Sequence, residues 1–106
     1  MLLSKDYTFY VYILTNPGKT ALYVGMTNDL TRRLIEHFDK RGDSSTFTGK
    51  YFCYHLVYYE IYQYVNDAIA REKQIKRWSR TKKEQLISTT NPGWKILNAE
   101  FYIPEE

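Results

Sequence analysis

Two short runs of aromatic and β-branched residues, Phe9-Tyr10-Val11-Tyr12-Ile13-Leu14 and Ala21-Leu22-Tyr23-Val24-Gly25, flank the turn-forming stretch Asn16-Pro17-Gly18. Side chains of this kind suit a pleated, half-buried backbone, so each run predicts a strand, and the short connection predicts an antiparallel hairpin. Tyr54 to Ile61 repeats the composition and supplies a third strand that completes a small sheet. Gly25 is expected to end the second strand. Thr27-Asn28-Asp29 then offers N-cap chemistry for a helix from Leu30 to Phe38. On that helix Leu30, Leu34 and Phe38 sit four apart and predict the core stripe, while Arg33 and His37, also four apart, share a neighbouring face and can point at one object.

Asp39 to Lys50 is polar, carries Gly42 and Gly49, and includes Ser44-Ser45-Thr46, which predicts an exposed loop. A helix is expected from Asn66 or Asp67 to Ser79, a break at Arg80-Thr81, and a second short helix over Lys82 to Ser88. After the turn at Asn91-Pro92-Gly93, the segment Trp94 to Ile103 brings Trp94, Ile96, Leu97, Phe101 and Tyr102 to pack on the body. The fold class is therefore α/β in the α+β sense: a three-stranded antiparallel sheet flanked by helices. With 106 residues there is room for one domain, spanning 1–106.

Apolar residues make up 43% of the chain and aromatics 17%, enough for one compact core and too much for a disordered segment. No stretch approaches the roughly 18 apolar residues of a membrane span, and Met1 to Asp6 lacks the apolar run of a signal peptide, so a cytoplasmic chain with no membrane partner is expected. The single Cys53 cannot staple its own chain, and no Cys/His spacing suits zinc, so Cys53 is expected to be a small buried hydrophobe.

The net charge of +3 says little, but its placement says more. Arg71, Lys73, Lys76, Arg77, Arg80, Lys82 and Lys83 crowd into one segment with Glu72 as its acid. Such a cluster is the footprint of a phosphate-backbone binder, and equally of a solvated helix face. Glu72 itself is out of place. Val65, Ala68, Ile69, Ile75 and Trp78 recur at helical spacing and predict the core face, and Glu72 falls among them, three after Ile69 and three before Ile75. A carboxylate directed at the body needs a cation or donors, which leaves an internal salt bridge, an amphipathic edge position or a metal ligand open.

Together these elements resemble the GIY-YIG nucleases. Tyr23-Val24-Gly25 is close to the second tripeptide that names that family, and Tyr10-Val11-Tyr12 stands where Gly-Ile-Tyr is expected, without the glycine but with the tyrosine. An arginine eight residues after the strand glycine and a histidine four beyond it are also similar: Gly25, Arg33 and His37. The segment Ala68 to Trp78 looks like the helix whose glutamate holds the family's divalent metal in small stand-alone bacterial members.

The resemblance implies a metal-dependent endonuclease acting on nucleic-acid phosphodiesters, DNA foremost, in repair or recombination. Glu72 would hold Mg²⁺ or Mn²⁺, an assignment that suits an ion content with one carboxylate, its waters and substrate oxygens. Arg33 would clamp phosphate oxygens with a fork that lysine cannot reproduce. Of Tyr12 and Tyr23, Tyr12 is the expected base, on condition that positive charge lowers a pKa ordinarily about 10. His37 would hold a tyrosine hydroxyl or a phosphate oxygen in either protonation state. Gly25 and an asparagine, Asn91 in preference to Asn98, would support the site. Competing readings are a weakly active or inactive DNA- or RNA-binding module with this fold, using Arg71 to Lys83, and an aromatic-rich protein-interaction domain. No groove-reading element is evident, so low sequence specificity is expected unless a protein partner supplies targeting.

Overall fold

The computed structural model describes residues 8–102, so Met1 to Asp6 and Ile103 lie outside the described residues. The hairpin forms as β1, Phe9–Thr15, and β2, Leu22–Thr27, with Tyr12 opposite Gly25. Asn16 shapes its turn: the Oδ1 accepts from the backbone N–H groups of Thr20 and Ala21 at 2.8 and 3.0 Å. The third strand, β3, His55–Tyr62, pairs antiparallel with the other edge of β1, giving the order β2-β1-β3. As the central strand, β1 is buried on both faces, and Val11, Tyr12, Ile13 and Leu14 expose no surface.

Alternation along β1 sends Val11 and Ile13 to one face and Tyr12 and Leu14 to the other, and each face has its own core. Two helices, α3 (Val65–Lys76) and α4 (Arg80–Thr90), cover the first through Ala68, Ile75 and Ile87. The second is covered by α1, Leu30–Asp39, through Leu30 and Leu34, with Cys53 and Leu56 beside them. This is the expected three-stranded antiparallel sheet flanked by helices. Cys53 is free and buried, also as expected. No helix among the described residues is long and apolar enough to cross a membrane.

Several local expectations are corrected. β2 runs through Gly25 to Thr27. On α1 the third buried residue is His37, not Phe38, which is 38% exposed; both spacings from Leu34 lie near the stripe, and the imidazole takes the inner one because Tyr12 awaits it there. Asp39 to Lys50 is not wholly an exposed loop. It contains a short helix, α2, Phe47–Lys50, capped by Thr46, whose hydroxyl accepts from the Gly49 N–H at 3.0 Å, and it buries Thr48 and Gly49. The first long helix starts at Val65 and stops at Lys76. Ser79 belongs to the next one: its hydroxyl accepts from the Lys82 N–H at 3.2 Å, so α4 begins at Arg80 rather than Lys82. Val65 and Ile96 are exposed rather than core.

A register shift after Ile13 makes Tyr58 its partner and Leu56 the partner of Leu14, so Val57 is an extra residue in β3. The two candidate asparagines serve this edge. Asn91 Nδ2 donates to the carbonyls of Val57 and Lys95, each at 2.9 Å, and its Oδ1 accepts from the Lys95 N–H. Asn98 Oδ1 accepts from the Leu56 N–H at 2.7 Å, and its Nδ2 donates to the Tyr54 carbonyl at 3.0 Å. Both amides fasten the C-terminal segment along the outer edge of β3, which would otherwise present open backbone groups. Asn98→Ala leaves the buried Leu56 N–H without its acceptor and is expected to cost about 2 kcal/mol. Urea unfolding checks this, with Ser88→Ala on exposed α4 as the unaffected control.

Candidate functional site

Tyr12 leaves the centre of the sheet on the α1 face, and its ring crosses β2 over Gly25. A Cβ on Gly25 would stand 2.6 Å from both Cζ and the hydroxyl oxygen of Tyr12, and 2.9 Å from Cε2 of Tyr23. Glycine is needed here for close approach, and it lets the two tyrosine rings lie 6.3 Å apart between centroids. The Tyr12 hydroxyl then reaches α1, where it sits 3.0 Å from His37 Nε2. The other ring nitrogen, Nδ1, sits 3.1 Å from Thr48 Oγ1 on α2. One helical turn before His37, Arg33 places its guanidinium beside the Tyr12 hydroxyl and bonds Glu36 Oε1 at 2.7 Å.

These neighbours set the charge states. Burial, followed by the neighbouring Tyr23, pushes the Tyr12 phenol up to about 12, and Arg33 only partly opposes this. Arg33 by itself does not bring the phenol below the ordinary tyrosine value. Tyr12 is also fully buried, whereas Tyr23 is half-buried and lines an opening to solvent. Burial, then the Arg33 charge, pushes His37 down to about 4, so the imidazole is neutral at pH 7 and holds a tyrosine hydroxyl.

Glu72 comes from α3, which packs against β1 and β2. Its side chain is 21% exposed, it is not among the residues lining the cleft described below, and its ion-pair partner is Lys76, one turn on at 3.3 Å. A half-exposed pair of this kind stabilises weakly and does not account for the inward placement. Among the described residues no three His, Cys, Asp or Glu side chains converge on a common point, so an all-protein metal cage is absent. A lone, half-buried carboxylate nevertheless fits Mg²⁺, which keeps waters and takes substrate oxygens.

A cleft of about 170 Å³ opens over this cluster, lined by Tyr23, Arg33, Glu36, His37, Lys40 and the α2 residues Phe47 and Thr48. A wider hollow of about 650 Å³ near Asp29 and Phe101 shares none of these side chains. Thr48 and Phe47 were not foreseen. Phe47 is 49% exposed, stacks on Tyr23 at 6.2 Å and meets the exposed Tyr51 at 4.8 Å, extending an aromatic surface out of the cleft. The visible signal was Phe47-Thr48 embedded in a polar stretch.

The basic segment divides. Arg71 forks onto Glu60, with Nε and Nη2 each at 2.9 Å from a carboxylate oxygen, and Glu60 also accepts from the Tyr58 and Tyr62 hydroxyls. Arg80 bonds Glu84 at 2.8 Å and the Thr20 carbonyl at 2.6 Å. Lys82 lies 4.3 Å over Trp78. The expected continuous basic face is thus interrupted, with Arg71 and Arg80 holding the fold, Lys83 half-buried, and Lys73 and Arg77 out in solvent. Asn91 is a seam residue bonded to Val57 and Lys95, with no site side chain among its partners.

A family model described as the GIY-YIG catalytic domain matches residues 8–85. The chain belongs to the GIY-YIG family. The matched span holds Tyr12, Tyr23, Gly25, Arg33, His37 and Glu72 and leaves Asn91 outside. A UPF0213 protein from Haloquadratum walsbyi is 37% identical over 82 residues, covering 77% of this chain and 88% of its own. UPF0213 proteins from Staphylococcus aureus are 36% identical over 78 residues, covering 74% of this chain and 92% of theirs. The solution NMR structure of the UPF0213 protein from Bacillus halodurans superposes with a TM-score of 0.54 at 28% identity, covering 92% of this chain and 99% of that one. The family match places the chain in a nuclease family, and the names of the relatives state no activity or substrate.

The depressed His37 pKa has a stability consequence. The unfolded chain protonates its histidine near 6.5, the folded protein only near 4, so the contribution of His37 is complete above pH 6.5 and is lost as pH falls toward 4. The stability gap between wild type and His37→Gln is therefore expected to narrow by about 2–3 kcal/mol between pH 7.5 and 4.5. Urea unfolding of both proteins across that range measures it.

Proposed function

We propose that this GIY-YIG protein is a metal-dependent endonuclease that hydrolyses phosphodiester bonds in nucleic acid, with DNA as substrate and little intrinsic sequence preference. The observation that carries the reading is the convergence of Arg33, Tyr23 and His37 on one cleft, with the Tyr12 hydroxyl bonded to His37 beneath it. Cutting a phosphodiester needs a directed water, stabilisation of charge on the phosphoryl oxygens and relief of charge on the leaving oxygen.

Arg33 is suited to the second task. Its tie to Glu36 is an i,i+3 pair at the surface, weak enough for a phosphate to displace. The fork then grips two oxygens. Tyr23, half-exposed in the cleft, is placed to hold the attacking water, while buried Tyr12 positions Arg33 and His37. Glu72 is the residue that would hold Mg²⁺ or Mn²⁺, which when bound supplies positive charge to the phosphoryl and leaving oxygens. Phe47 and Tyr51, with Lys40 and Lys50 nearby in sequence, offer flat faces and cations that accept any base. Nothing in this set reads base edges, which favours low specificity and targeting by another protein if any.

The test is cleavage of labelled single-stranded, duplex and branched DNA and RNA with Mg²⁺ or EDTA. Wild type is expected to cut only with metal, Glu72→Ala to lose cutting while keeping its circular dichroism spectrum, and Arg33→Ala to slow single-turnover cleavage by about 10²–10³-fold. Undiminished cutting by Glu72→Ala would remove that carboxylate from the site. No cutting of any substrate by wild type would favour a nucleic-acid-binding module, to be read by salt-dependent retention on the same panel.

A further inference from the structure

His37 is gripped at both ends, by Tyr12 at Nε2 and by Thr48 at Nδ1, and neither grip lies in solvent: His37 is 5% exposed, Thr48 6% and Tyr12 0%. A neutral imidazole carries one N–H, so one contact is a donation by the ring and the other an acceptance. The groups around Tyr12 decide which. The Arg33 guanidinium, a donor with no acceptor capacity, lies beside the Tyr12 hydroxyl, and its positive charge turns the phenol lone pairs toward it and the phenol proton away. The phenol proton therefore needs an acceptor elsewhere, and among the described residues Nε2 of His37 is the acceptor within hydrogen-bond distance. With Nε2 accepting, the ring proton is on Nδ1 and is donated to Thr48 Oγ1.

We infer that Thr48 is a positioning residue for the site: it holds His37 in the Nδ1–H tautomer, which turns the Tyr12 proton toward His37 and leaves the phenol oxygen free to accept from Arg33. The opposite tautomer would aim Nε2–H at the same oxygen and set the Tyr12 proton against the guanidinium, loosening Arg33. The Arg33 charge beside Tyr12 selects this tautomer, and Thr48, by accepting the proton it leaves on Nδ1, holds it in place from α2.

The backbone around Thr48 is built to keep it in place. Gly42 N–H donates to the Gly49 carbonyl at 2.8 Å, and Cys53 N–H donates to the Thr48 carbonyl at 2.8 Å. A Cβ on Gly49 would overlap the carbonyls of Asp43 and Lys40, so the 39–50 segment closes on itself at the residue after Thr48. A threonine that merely filled space would not need its hydroxyl directed at a ring nitrogen.

The effect on cleavage rests on the proposed nuclease activity, whereas the tautomer does not, so two measurements separate the ideas. ¹⁵N NMR of the resting protein, with His37→Gln used to assign the signal against His55, is expected to show His37 as a single Nδ1–H tautomer near pH 7. Thr48→Val, of similar shape without the hydroxyl, is expected to mix the tautomers and slow cleavage about ten- to a hundredfold, the range seen when a partner that orients an imidazole is removed. Thr48→Ser is expected to restore both. A wild-type His37 in the Nε2–H form, or a Thr48→Val protein whose His37 tautomer is unchanged, would overturn the assignment. A tautomer that shifts as expected in a protein that cuts nothing would uphold it and count against the nuclease reading alone.

Discussion

The site depends on an atom that is missing. Because Gly25 has no Cβ, the Tyr12 ring can lie flat across β2 and carry its hydroxyl from the centre of the sheet to α1. Any larger residue at 25 would have to share space with Cζ and the phenol oxygen, and the hydroxyl would be pushed out of register with His37. The crossing also explains why Tyr12 can be a fully buried polar side chain without penalty: the oxygen that leaves the core arrives at His37 on a helix, and no buried side-chain polar atom among the described residues lacks a partner. From there the order is outward, with His37 fixed by Tyr12, α2 fixed against His37, and the cleft bounded by α1 and α2.

How much of this could be read in advance follows from how local each determinant is. The hairpin, the third strand and the Asp29 cap of α1 depend on side chains within a few residues of one another, and they appear where the sequence puts them. The choice of His37 over Phe38 as the inward residue does not. Hydrophobicity alone favours Phe38, and the decision is made by Tyr12, twenty-five residues away in the chain. Ser79 misled in a different way, because it is compatible with the end of one helix and the cap of the next, and only its bond to the Lys82 N–H decides. In sequence Arg71 looks like part of a basic face, because its partner Glu60 sits on another element, where no spacing rule reaches. α2 was hidden because four residues carry too little periodicity to register.

The site residues divide the same way. Gly25, Arg33 and His37 are visible as a joint spacing, and the structure brings Arg33, His37 and Tyr23 together around one cleft with Tyr12 bonded beneath it, while Glu72 on α3 is not among the cleft-lining residues. Thr48 carried no signal beyond lying in a polar stretch, since what distinguishes it is the geometry of its hydroxyl. Asn91 illustrates the converse. A conspicuous polar residue in the right part of the sequence is spent entirely on backbone groups at a sheet edge, where the extra residue Val57 leaves a carbonyl to be satisfied.

The charge arrangement gives the cleft an asymmetry that suits an anionic ligand. Its floor is neutral, because burial keeps Tyr12 protonated and His37 unprotonated at pH 7. Its wall carries Arg33, whose ion-pair partner Glu36 is at the surface and belongs to the same helix. An exposed pair of this kind is worth about 1 kcal/mol or less, whereas a forked contact to phosphate is charge-assisted and gains strength as water is excluded. The guanidinium therefore has more to gain from exchanging Glu36 for a phosphate than from keeping it. A buried partner in place of Glu36 would have held Arg33 too firmly, as Glu60 holds Arg71 on the other side of the sheet. The two arginines have the same chemistry, and the burial of their acidic partners assigns one to the fold and leaves the other available to the cleft.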